Sequence, residues 1–95
     1  MGVMKHLDIK VQGKVQGVGY RAAAKAVANQ LGVNGTVKNE KDGSVTIEAE
    51  ADETLLDLFL DFCRDGAETA HVTSIESHEG ELKNYRNFEI LKRGL

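Results

Sequence analysis

The sequence predicts an α+β sandwich, an antiparallel sheet carrying two helices on one face. Three observations predict it. Apolar and polar residues alternate over 5–12 and 44–50, the period of a half-buried strand. Apolar residues recur at helical spacing over 20–31 and again from Leu55 to Cys63, and a glycine closes each run, Gly32 and Gly66. Between two strand-like runs stands Lys41-Asp42-Gly43, whose Asp-Gly pair signals a hairpin.

In the first strand Leu7, Ile9 and Val11 alternate with Asp8 and Lys10, and glycines at 13, 17 and 19 then break the regularity. The helix from Tyr20 to Leu31 sets Tyr20, Ala24, Val27 and Leu31 on one face and is rich in alanine, the strongest helix former. Residues 35–39 and 44–50 form the second and third strands; on the third, Val45, Ile47 and Ala49 face the core and Thr46, Glu48 and Glu50 face water. Asp52 caps the second helix, and Glu53 suits its positive end. Leu55, Leu56, Phe59, Phe62 and Cys63 form its apolar stripe. Residues 70–77 make a strand whose uneven spacing, Val72 then Ile75, points to a bulge. Phe88 and Ile90 alternate with Asn87 and Glu89 in an extra short edge strand. The order βαββαβ plus that edge is a ferredoxin-like sandwich with right-handed crossovers. The topology hosts many chemistries and decides none.

The 95 residues are read as one domain, 1–95. A chain 41% apolar and 28% charged is neither disordered nor fibrous. Its apolar runs are too short to span a membrane, and it shows no secretory leader. His6 stands where myristoylation of Gly2 would require Ser or Thr. Cys63 is the only cysteine, so no internal disulfide forms, and the expected location is a reducing cytoplasm. Without a leader, the sequon Asn34-Gly35-Thr36 is read as chance.

The net charge of −3 argues against general nucleic-acid binding, but the charge is uneven. Between Ile9 and Asn39 there is no acidic residue, while Lys10, Lys14, Arg21, Lys25 and Lys38 all fall there. Such a segment favours a small anion. Within it lies "VQGVGYR", residues 15–21, leading from a strand into a helix. Gly17 and Gly19 let successive N–H groups turn into one concavity, and the helix N-terminus adds a partial positive charge. Arg21 can grip two oxygens of an anion at once, as lysine cannot. A simple turn is the competing reading of the loop. Asn39, before the hairpin, is either a turn former or an amide that orients a water beside the anion.

Together "GKVQGVGYR" and "GTVKNEKDGSV" resemble the two signatures of the acylphosphatase family, and the resemblance covers nearly the whole chain. It implies a metal-independent, cofactor-free enzyme that hydrolyses the carboxyl–phosphate bond of acyl phosphates to carboxylate and inorganic phosphate. It implies that Arg21 binds the phosphoryl group and Asn39 positions the water. It also implies that the backbone N–H groups of Gln16, Gly17, Val18, Gly19, Tyr20 and Arg21 cradle the phosphate. Two positions depart from the pattern: no proline follows Gly66, and Thr36 replaces a frequent aromatic residue. Both concern the surroundings of the substrate.

The remaining candidates read as structural. His6, His71 and His78 show no ligand spacing with carboxylates or Cys63 and are taken as surface residues. Cys63 lies on the apolar stripe as a core residue, and Asp57, Asp61 and Asp65 form a solvated helix face. Lys14 and Lys38 either attract substrate or are plain surface charges. The alternative function is a non-catalytic module binding an anionic metabolite. An RNA-binding module would need aromatic residues free on the sheet, and the five present sit mostly at core-like positions. The expected protein is a monomer with a small-molecule substrate, no nucleic acid and no membrane.

Overall fold

Residues 3–92 are described in the computed structural model, and they form five strands and two helices. The order is β1 (Met4–Lys14), α1 (Tyr20–Leu31), β2 (Asn34–Asn39), β3 (Val45–Asp52), α2 (Glu53–Asp65), β4 (His71–Gly80) and β5 (Phe88–Leu91). They assemble one sheet in the order β4-β1-β3-β2-β5, with the first four strands antiparallel to their neighbours. The ferredoxin-like α+β sandwich is therefore present.

Alternation sets the two faces. Ile9, Val11, Val37, Val45, Ile47 and Ala49 are almost fully buried beneath the helices. Asp8, Lys10, Lys38, Thr46 and Glu48 occupy alternate positions and line the opposite, open face. α1 packs on β2 and β5, α2 on β1, β3 and β4, and the two helices touch. Ala24 and Ala28 let α1 sit close, and Tyr20, Phe59 and Phe88 are the bulkiest buried side chains. The Phe59 and Phe88 rings meet edge-on at 5.8 Å, joining α2 to β5.

The termini of the helices follow the sequence. Asp52 caps α2 by accepting a 2.9 Å bond from Leu55 N–H, and the Gly66 N–H closes its far end on the Phe62 carbonyl. At the hairpin, the Asp42 carboxylate accepts from both the N–H and the hydroxyl of Ser44, and Lys10 pairs with it. Those bonds hold the Asp42 pKa down at about 2. In β4 the register steps from Gln12–Ser74 to Gly13–Val72, so Thr73 has no Cα partner: the expected bulge. β4 also runs three residues past the predicted end. It is a solvated edge whose pairing to β1, not apolar alternation, holds it.

The fifth strand enters parallel to β2 and makes the sheet mixed. The reason is where the chain must travel. β4 ends at one edge of the sheet and β5 begins at the other, so residues 81–87 cross its foot. Glu50 pins the crossing by accepting N–H bonds from Lys83 at 2.7 Å and Tyr85 at 3.0 Å. The Asn34 amide donates to the Tyr85 carbonyl, giving that sequon residue a structural role.

His6 also belongs to this foot, contrary to its reading as a surface histidine. It is 1% exposed. Its Nδ1 lies 2.6 Å from Glu50 and its Nε2 3.0 Å from Asp8, with Glu48 at 3.5 Å. Burial pushes the imidazole pKa down, but the bonds to Glu50 and Asp8 outweigh it and the net shift is upward. Burial pushes Glu50 up, but the Lys83 N–H, His6 and the Tyr85 N–H outweigh it and the net shift is downward. His6 thus belongs to a buried cluster with Glu50, Asp8 and Glu48 that its sequence spacing did not reveal, and the bonds to Glu50 and Asp8 favour its protonated form. His71 and His78 are exposed, as expected.

Candidate active site

At the opposite end of the sheet, residues 15–19 leave β1 and enter α1. Gly17 and Gly19 have φ of 72° and 78°, the left-handed region that glycine adopts without strain. A Cβ built on either would meet nothing within 4 Å, so the conformation, not crowding, requires glycine. Gly19 is the N-cap of α1 and supplies no side-chain cap, and the first turn holds no acidic residue. Free N–H groups and the helix dipole therefore face this end unopposed by a carboxylate of the helix.

A cavity of about 160 Å³ opens here, walled by Gly17, Gly19, Tyr20 and Arg21 together with Val15, Ala22 and Ile90. Arg21 is its one charged wall residue among the described residues. Among the described residues no hydrogen bond or ion pair occupies its guanidinium. The positive charge is more local than the acid-free segment suggested. Lys10 is paired with Asp42, and Lys38 lies on the open face of the sheet.

Three contacts fix the loop. Tyr20 is 1% exposed and donates its hydroxyl to the Cys63 carbonyl at 2.8 Å, anchoring the first turn of α1 to α2. The Val18 carbonyl accepts a 2.6 Å bond from the Thr69 hydroxyl. The Gln16 amide donates to the carbonyls of Glu40 and Ser44, at 2.7 and 2.8 Å. This last clamp ties the loop to the hairpin directly after Asn39. Asn39 ends β2, is 9% exposed, and its Oδ1 is buried with no hydrogen-bond partner among the described residues. A buried acceptor left in that state costs about 1–3 kcal/mol, and this one is open to a hydrogen bond from a water or ligand.

Of the residues singled out in the sequence, Gly17, Gly19, Tyr20 and Arg21 share the cavity wall. Gln16, Val18 and Asn39 are not on it; Gln16 acts as the bridge between its loop and the Asn39 hairpin. The Gln16 side chain, Thr69 and Ile90 were not anticipated. The first is flagged only by the Val-Gln-Gly echo at 11–13 and 15–17, and the others carry no local signal. Cys63 is fully buried and its burial raises the thiol to about 12, so it is no thiolate at neutral pH. Asp57, Asp61 and Asp65 are exposed on α2.

Comparisons with known proteins bear on the chain as a whole. The family model described as acylphosphatase matches residues 7–90. An acylphosphatase of Lactiplantibacillus plantarum is 43% identical over 88 residues, covering 92% of this chain and 98% of the relative. One of Enterococcus faecalis is 46% identical over 91 residues, covering 94% and 100%. The crystal structure of acylphosphatase from Bacillus subtilis superposes with a TM-score of 0.89 at 34% identity, covering 94% of this chain and 99% of that one. A match along the whole domain, at these identities, does not favour a non-catalytic module. The chain belongs to the acylphosphatase family.

Proposed function

We propose how this hydrolase of acyl phosphates divides the work among its residues. The phosphoryl group sits in the cavity before α1, held by the N–H groups of residues 16–21 and by the Arg21 guanidinium. The observation that carries the reading is the glycine-walled cavity at an uncapped helix N-terminus, with Arg21 as its one charged wall residue among the described residues. Asn39, its Oδ1 unpartnered, accepts a hydrogen bond from the attacking water and aims it at phosphorus.

The chemistry needs no strong base. The water oxygen bonds to phosphorus as the P–O bond to the carboxyl group breaks, and the carboxylate leaves with the electron pair. A phosphoryl oxygen takes the proton that the water releases, since an amide cannot. In a loose transition state the charge lies on the phosphoryl oxygens, where the guanidinium and the N–H donors stand ready. Metal-independent turnover follows. Hydrolysis of benzoyl phosphate by the purified protein with chelator present tests it, and no release of phosphate above buffer would overturn it. The buried Cys63 and the pairing of every sheet strand within one chain support a monomer in a reducing cytoplasm; light scattering near 10.4 kDa would agree.

A further inference from the structure

We propose that Ile90 forms the acyl-binding wall of the site and selects acyl phosphates whose acyl group is apolar and uncharged. The inference rests on the assignment of the phosphoryl group to the Arg21 cavity. Three observations carry it. Ile90 lines that cavity together with Arg21 and Ala22. Its register opposite Val37 on the parallel β2 strand places it on the face that Val37 and Asn39 share, two residues short of Asn39. It is 39% exposed, whereas Phe88, two positions earlier on the same face, is 2% exposed. β5 thus emerges from beneath α1 exactly where the cavity opens, and the side chain at its mouth is a branched hydrocarbon.

The polarity of the wall decides the class of acyl group. With the phosphoryl oxygens on Arg21, the wall has no second charged side chain among the described residues, and the Tyr20 hydroxyl is spent on the Cys63 carbonyl. A carboxylate or ammonium on the acyl group would lose water there without gaining a partner. A methylene or aromatic ring would instead cover Ile90 and Ala22, and each methylene buried is worth up to about four-fold in affinity.

The test compares acetyl, butyryl and benzoyl phosphate as substrates of the wild-type protein and of Ile90→Ala. Expected for the wild type is a KM that falls about two- to four-fold per added methylene toward butyryl and is lowest for benzoyl phosphate. Ile90→Ala should lower the ratio of kcat/KM for benzoyl over acetyl phosphate about five- to ten-fold. A wild-type KM independent of the acyl group, or a ratio in Ile90→Ala within about two-fold of wild type, would overturn the inference. Should Ile90→Ala not fold, the wild-type series still decides. If no acyl phosphate is hydrolysed at all, the phosphoryl assignment fails first, and that outcome differs from turnover without acyl preference.

Discussion

Replacing Asn39 by alanine separates catalysis from folding in a way few buried substitutions do. Deleting a buried polar side chain ordinarily costs stability because its partners are left unpaired. At Asn39 the balance differs, because Oδ1 has no partner among the described residues although the residue is 9% exposed. Removing an unsatisfied acceptor returns about 1–3 kcal/mol, and truncating a side chain this size loses a similar amount of packing. The net change in stability is therefore within about 1 kcal/mol of zero, or roughly 4–8 °C in Tm for a domain of this size. Turnover should respond quite differently. Losing one group that positions a reactant costs on the order of a hundred-fold in kcat, about 2.7 kcal/mol. The assays are thermal unfolding, benzoyl phosphate kinetics and competitive inhibition by inorganic phosphate. The expected triad is a Tm within about 8 °C of wild type, a hundred-fold lower kcat and an inhibition constant for phosphate that moves little. Loss of phosphate binding as large as the loss of kcat would refute the water-positioning role, and a Tm lower by more than about 10 °C would refute the stability argument.

Other perturbations have equally defined outcomes. Arg21→Ala should weaken phosphate inhibition and lower kcat/KM by about 3 kcal/mol or more, and Arg21→Lys should not restore it, since one ammonium cannot replace the planar fork; steady-state kinetics decide. Glu50→Gln removes the carboxylate charge facing His6 and turns one of the two oxygens that accept from the Lys83 and Tyr85 N–H groups into a donor, and should cost about 3 kcal/mol in urea unfolding. The pH dependence has a definite sign. The lowered Glu50 pKa adds stability above its ordinary 4.5 that is lost as acid titrates it, and the raised His6 pKa adds stability below 6.5 that is lost as pH climbs through its folded value. The pair therefore contributes most between those two values, and Glu50→Gln should flatten both flanks of the stability profile. Gly35→Ala places a Cβ 1.7 Å from the Glu48 carbonyl oxygen at a φ of 153°, so β2 must leave β3 and circular dichroism should show loss of fold at 37 °C.

Much of this architecture could be read from the chain, for reasons that differ by element. α1 matches its expected bounds because an alanine-rich run lies between two glycines, Gly19 and Gly32, so local preference and packing agree. The Asp42-Gly43 hairpin and the Asp52 cap are short-range events with short-range signals. The glycine loop and Arg21 were legible for the same reason. His6 was not: alternation puts it on the wet face of β1, and it is buried by residues 81–87, a segment without periodicity that lies more than seventy positions away. The Gln16 clamp and the place of Ile90 depend on one part of the chain meeting another, which no local pattern records. The end of β4 escaped because an edge strand needs only one neighbour and no apolar rhythm.

That edge strand has a consequence for the protein in crowded solution. β4 leaves Glu76, His78 and Glu79 exposed along its length, and its outline is broken at Thr73. A sheet edge is a template onto which another chain can crystallise strand by strand, and here the template is studded with carboxylates and kinked. At the far side, among the described residues, β5 offers four residues. Among the described residues neither border of the sheet is a long, flat, uncharged rail, and the residues that interrupt β4 are the same ones that hid the last antiparallel strand from view.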